Sequence, residues 1–159
     1  MKVTFFGHRR LENREEVRIW LEPTVARLAA CGARTFYLGG YGEFDRLALR
    51  AVRAARRAHP EVEAVLVLAY PEAGADAAQY DATVYPPLER VPRRYAIARR
   101  NQWMADEAAV VVACVQHGWG GAAKALEYAR KKGKEVVAYG TSRKEGHEKA
   151  ARGCRRAAD

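Results

Sequence analysis

The chain has 159 residues, 49% of them hydrophobic, which is enough material for one ordinary core and argues against a multidomain protein. No apolar run approaches the roughly 20 residues of a membrane span, and the start lacks the length of a signal peptide, so a cytoplasmic protein without membrane contact is expected. The formal charge of +9 suits a nucleic acid, a nucleotide phosphate or plain solubility, and alone selects none of them. Cys31, Cys114 and Cys154 show no metal-ligand spacing, so reduced thiols and no metal or cofactor are expected.

Lys2 to Phe6 reads as a short first strand ending in Gly7-His8-Arg9-Arg10, a glycine and three cations where strand gives way to helix. In open α/β sheets that is the edge at which ligands bind. The following helix carries Val17, Trp20, Leu21, Thr24 and Leu28 on one face, with Pro23 as a kink or the first turn of a second piece, and Gly32 as its cap. Thr35 to Leu38 is a second strand running into Gly39-Gly40-Tyr41-Gly42-Glu43-Phe44-Asp45, after which a helix continues to about His59. This Gly-Gly-x-Gly is not the dinucleotide fingerprint, so NAD redox chemistry does not follow from it. Either the turn brings backbone close to a ligand while Asp45 accepts from a hydroxyl or base, or it is a tight turn with Asp45 favouring the helix dipole.

Val62 to Ala69 gives a third strand. Tyr70 to Arg93, with Pro71, Pro86, Pro87 and Pro92, shows little periodicity. Connections longer than about 12 to 15 residues usually act as lids or binding loops, and Tyr80, Asp81 and Tyr85 are the candidate contacts here. A helix from about Arg94 to Glu107 places Ile97, Asn101, Met104 and Ala108 on one side, leaving Arg99 and Arg100 as phosphate forks and Trp103 as a base platform, or as solvated cations and a buried indole.

The most informative stretch comes next. Ala109 to Val115 is wholly apolar and rich in β-branched residues, as a strand buried on both faces should be. It leads through His117-Gly118-Trp119-Gly120-Gly121 into a helix from Ala122 to Lys132, whose first N–H groups make a candidate anion site. Gly133 caps that helix and Glu135 to Tyr139 is a fifth strand. From residue 141 the apolar pattern fades, and the segment holds six basic residues against three acids; a flexible basic tail over 141–159 is expected after one domain spanning 1–140.

Strands alternating with helices imply an α/β Rossmann-like three-layer sandwich, with a mostly parallel five-stranded sheet in the order 3-2-1-4-5 and helices on both faces. Such an order brings Gly7-His8-Arg9, the Gly39 turn and the Gly118 turn to one crevice.

Several of these segments resemble one family. Thr4-Phe5-Phe6-Gly7-His8-Arg9, Gly39-Gly40-Tyr41-Gly42-Glu43-Phe44-Asp45-Arg46, Tyr85-Pro86-Pro87-Leu88-Glu89, Arg99-Arg100-Asn101-Gln102-Trp103-Met104 and His117-Gly118-Trp119-Gly120-Gly121-Ala122-Ala123-Lys124 look like the small bacterial SLOG proteins. That Rossmann-like superfamily includes the LOG cytokinin-activating hydrolases and DNA-processing protein A. The resemblance covers residues 2 to about 139 and implies a pocket for nucleotides or nucleotide-derived ligands, among them ADP-ribose, other NAD-derived molecules and cyclic signals. The LOG motif Pro-Gly-Gly-x-Gly-Thr-x-x-Glu is matched at Gly120, Gly121 and Glu127, whereas Trp119, Ala123 and Lys124 replace its Pro and its Gly-Thr pair. Arg99 or Arg100 matches the arginine of the preceding helix.

Three readings follow. The first is a sensor or sequestering module that holds a nucleotide-like anion. Its contacts are Gly7, His8, Arg9, Gly39, Gly40, Tyr41, Gly42, Asp45, Arg99, Arg100, Asn101, Trp103, His117, Gly118, Trp119, Gly120 and Gly121. The second is a nucleoside-monophosphate N-glycosidase using Glu127 with Arg100 as catalytic residues. The third is a nucleic-acid binder. The relatives suggest a homodimer, although no stripe in this sequence marks an interface.

Overall fold

The computed structural model describes residues 1–140. The basic segment 141–159 lies outside the described residues, and with it the expected flexible tail. The elements, in order, are β1 (Lys2–Gly7), α1 (Arg14–Ala30), β2 (Thr35–Leu38), α2 (Gly42–Arg56), β3 (Glu63–Val67), β4 (Ala82–Val84), α3 (Ala96–Glu107), β5 (Val110–Cys114), α4 (Gly121–Lys131) and β6 (Glu135–Ala138). Short 3-10 turns at Ala75–Gln79 and Arg93–Tyr95 flank β4.

All pairings among these strands are parallel, in the order β4-β3-β2-β1-β5-β6. The expected order 3-2-1-4-5 is present, with one strand more than the five expected. The extra strand is β4, which lies inside the stretch read as a structureless loop. It is three residues long with no residue buried, pairing Ala82, Thr83 and Val84 with Val65, Leu66 and Val67 at the sheet edge. So short and exposed a strand leaves no apolar run to read. Pro23 does not begin a second helical piece, since α1 runs through it without a break.

Side chains alternate across the strands as the pleat requires. Val3, Phe5, Phe36, Leu38, Val110 and Val112 face α1 and α2, where Val17, Leu21, Val25, Phe44, Ala48 and Val52 complete one core. Phe6, Tyr37, Val65, Val67 and Val111 face the other way, onto Met104 and Ala105 of α3 and Ala125 and Ala129 of α4. With helices covering both faces, β5 is buried at every position. Burial pushes the Cys114 thiol up to about 11, so it packs as a neutral core residue. Cys114 is a free thiol, as the expectation of reduced thiols has it for this residue. No helix among the described residues is long and apolar enough to cross a membrane.

The parallel sheet places the carboxyl ends of β1, β2 and β5 side by side. The turns that leave those ends build the site.

Candidate functional site

A cleft of about 480 Å³ opens at this edge, with walls from the β1–α1, β2–α2 and β5–α4 turns and from α3. Gly7, His8 and Arg9 line it from the first turn, Gly39, Tyr41 and Asp45 from the second, His117, Trp119, Gly120 and Gly121 from the third, and Arg100 and Asn101 from α3. Phe5, Phe6, Ile97 and Met104 also line it, unmarked by the sequence, together with Arg10 of the three-cation run and Ala122 at the start of the helix read as an anion site.

The β1–α1 turn is held from two sides. The Arg9 carbonyl accepts the Glu43 N–H at 2.9 Å, and a Glu43 carboxylate oxygen accepts the Leu11 N–H at 2.6 Å. On the other side the Gln116 side chain accepts the Glu12 N–H and donates to the Glu12 carbonyl, both at 3.0 Å. Gly42 makes the first contact possible: a Cβ on it would stand 2.4 Å from Arg9 Cα, and its φ of +92° suits glycine. At the amino end of α2 the Glu43 N–H is therefore already taken by this chain's own backbone.

Asp45 is occupied too. Buried at the first turn of α2, it accepts the Tyr41 N–H at 3.1 Å. Burial pushes its carboxyl up to about 6, while the Arg100 guanidinium and the amides of Tyr41, Gly40 and Gly39 pull it back. Arg100 is itself buried; its Nη1 donates to the carbonyls of Gly39 and Val67 at 3.0 Å each and its Nε to Asn101 Oδ1 at 3.0 Å. These bonds tie the ends of β2 and β3 to α3, and the guanidinium still borders the cleft. Arg9 and Arg100 lie over the Tyr41 ring, 5.5 and 5.7 Å from its centroid.

The β5–α4 turn differs from both. No side chain caps α4: its N-cap is Gly120, at φ +94°, a conformation open to glycine that turns the chain sharply into the helix. Gly121 and Ala122 thus bring the positive end of α4 to the cleft. Before them stands a column of three rings. His117 stacks on His8 and on Trp119, with 3.7 Å between centroids in each pair. His8 Nε2 accepts the Gln116 N–H at 3.0 Å and the His117 N–H at 3.4 Å, so the ring is a neutral acceptor rather than the cation the sequence suggested. Desolvation, and then His117, lower its pKa accordingly. Trp119, at the far end, is 72% exposed.

The remaining candidates lie elsewhere. Arg99 is exposed on α3 and does not line the cleft. Trp103 packs edge-on against Tyr37 at 5.4 Å in the α3/α4 core, which removes it as a base platform. Gly118 is exposed beside the cleft and Gly40 lines a smaller neighbouring cavity. Glu127 is exposed, pairs with Lys131 at 3.0 Å one turn along α4, and is absent from the cleft wall. Asp81 is bound to Arg56 and to the Ala64 N–H, a structural role. Among the described residues no group of three or more His, Cys, Asp and Glu is placed to hold a metal ion.

No family model matches the chain, and no curated protein matches it in sequence. Solved structures do share its fold. DNA processing protein A from Streptococcus pneumoniae is 20% identical with a TM-score of 0.63, over 98% of this chain and 54% of that one. DNA processing protein A from Helicobacter pylori, described for its single-stranded DNA binding mode, is 16% identical with a TM-score of 0.61, over 87% and 64%. The molybdenum cofactor carrier protein of Chlamydomonas reinhardtii is 20% identical with a TM-score of 0.58, over 90% and 79%. The chain therefore spans between about half and two thirds of the two DNA-processing proteins. At these identities the likeness is one of fold, and it agrees with the Rossmann-like architecture that the SLOG resemblance implied.

Proposed function

We propose that the cleft binds a small phosphorylated ligand of nucleotide type, and that the protein acts as a sensor or sequestering module for it. The observation that carries this reading is the uncapped amino end of α4 at Gly120 to Ala122, facing the same cleft as Arg9, Arg10 and Arg100. A phosphate there accepts N–H groups with no internal partner, in the field of the helix and of nearby guanidinium groups. The exposed indole of Trp119, at the end of a column already built of flat rings, offers the base a further place in the stack. Asp45, the carboxyl among the lining residues, faces the Arg100 guanidinium and accepts the Tyr41 N–H, which offset its charge toward an anion.

The ligand class is that of ADP-ribose, other NAD-derived molecules and cyclic nucleotides. Calorimetry with ADP-ribose, NAD, AMP and cyclic AMP tests it; heat with at least one, with affinity weakened by Trp119→Ala, is expected, and a folded protein silent toward all four rejects the reading. Glycosidase chemistry has little support, because Glu127 stands outside the cleft.

Nucleic-acid binding is the second reading. A specific observation favours it: exposed arginines sit on exposed or half-exposed tyrosines, Arg93 on Tyr70 at 4.3 Å and Arg94 on Tyr95 at 4.8 Å, and Tyr70 lines the smaller cavity. Such pairs are the parts from which single-strand binding surfaces are made.

A further inference from the structure

Behind the Tyr41 ring lies a second cavity of about 110 Å³, which shares Gly39, Tyr41 and Arg100 with the main cleft as a common wall. Its chemistry differs from that of its neighbour. The main cleft carries three arginines among its lining residues, whereas the smaller cavity carries the carboxylates of Glu72 and Asp76 and shares Arg100, whose Nη1 and Nε are already bonded to Gly39, Val67 and Asn101. A second phosphate would meet two acids there and little free positive charge.

The far wall holds Tyr80. Its ring is half-buried against the core, and its hydroxyl makes no hydrogen bond to any described residue, standing 3.7 Å from where a Cβ on Gly40 would be. Burial, then Asp45 and Asp76, push that hydroxyl up to about 12, so it keeps its proton and can both donate and accept. The wall is also firmly tied down. Arg53 donates to the Gln79 carbonyl, the Asp81 N–H bonds the Ala64 carbonyl at 2.9 Å, and the Asp81 carboxylate takes the Ala64 N–H at 2.8 Å and the Arg56 guanidinium. A half-buried tyrosine whose hydroxyl has no partner among the described residues, on a fixed support and lining a cavity far larger than one water needs, has both donor and acceptor capacity to give to a polar ligand group.

We propose that this cavity is a second subsite, taking an uncharged, hydroxyl-bearing group such as a sugar ring that is joined covalently to the anion in the main cleft. Tyr80 exchanges hydrogen bonds with its hydroxyls, Glu72 and Asp76 accept from them at the mouth, and Tyr41 divides the two halves. The proposal rests on the reading of the main cleft as an anion site, and it adds that the ligand continues past its phosphates into a neutral polyol.

ADP and ADP-ribose differ chiefly by a terminal ribose and so form the test pair. Calorimetry of the folded full chain should show ADP-ribose binding about fivefold or more tightly than ADP, as one or two net hydrogen bonds imply. Tyr80→Phe, with folding checked by circular dichroism and thermal melting, should bring ADP-ribose down to the affinity of ADP and leave ADP unchanged. Equal affinity of the native chain for both ligands, or a Tyr80→Phe variant that weakens both alike or neither, overturns this subsite alone. Absence of heat with both ADP and ADP-ribose overturns this proposal, and the main-cleft reading falls with it only if NAD, AMP and cyclic AMP are silent too.

Discussion

Asp45 and Arg100 show how the same two side chains serve the fold and shape the cleft. Both are buried, and the carboxyl pays more for it, with a folded-state pKa of about 6 against 3.8 for the free group. Below about pH 4 it is protonated whether the chain is folded or not. Between about 4 and 6 the unfolded chain ionises and the folded one resists, so this residue's contribution to stability falls, by roughly 3 kcal/mol in all, and stays lost at higher pH. Asp45→Asn removes that slope. Urea denaturation should therefore find the variant more stable relative to the native chain at pH 7.5 than at pH 4; the reverse order would refute the assignment. Trp119 is the contrary case, an exposed ring whose loss should cost the fold less than about 0.5 kcal/mol. If it stacks a base, Trp119→Ala should weaken a nucleotide by about 1 to 3 kcal/mol in calorimetry at unchanged melting temperature. Sequence reading named both residues, yet misjudged what holds them. It set Arg100 apart from the face of Ile97 and Met104, although Arg100 lines the cleft with both, because an arginine at helical spacing is not read as buried. It read His8 as a cation because the backbone donors that make it a neutral acceptor lie 108 and 109 residues away.

The two glycine-rich turns looked alike as sequence, and at the level of elements they have different roles. The turn before α2 is engaged by the chain itself: the Arg9 carbonyl accepts the Glu43 N–H at the helix end, and Asp45 takes the Tyr41 amide. The turn before α4 has no such partners. Only long-range packing decides between them, which is why spacing left both readings open at Gly39 to Asp45. The strands were legible for the opposite reason, since a parallel strand covered on both faces must be apolar throughout, and β4 escaped notice because it is neither long nor covered. The α4 turn can be tested without disturbing the fold. Gly121 is the first helical residue, a position where proline fits the backbone and removes one N–H that the helix does not use. Gly121→Pro should keep its melting temperature and bind a phosphorylated ligand about fivefold to tenfold more weakly. An unchanged affinity would place the phosphate elsewhere.

For the whole molecule the open question is how much of the +9 charge the ligand meets. A ligand confined to the cleft touches Arg9, Arg10 and Arg100 at most, while the rim pairs Arg93–Tyr70 and Arg94–Tyr95 lie beyond the main cleft's wall. A nucleic acid tracking the same edge would engage those pairs as well. The two cases separate by salt, because each single-strand phosphate neutralised adds about 0.7 to the slope of log K against log salt concentration. Titrating ADP-ribose and a short oligodeoxythymidine between 50 and 300 mM salt, experimental conditions chosen on the order of the physiological range, provides the comparison. For a cleft-bound nucleotide we expect a slope no steeper than about −2, and the double variant Arg93→Ala/Arg94→Ala should leave the affinity for ADP-ribose unchanged. A steeper slope for the oligonucleotide, its affinity lost in the double variant while the cleft ligand is undisturbed, would mean that the rim binds a strand independently of the cleft. Loss of ADP-ribose binding in the same variant would mean that the ligand is held by Arg93 or Arg94, outside both the main cleft and the smaller cavity, and would contradict its assignment to the turns at the ends of β1, β2 and β5.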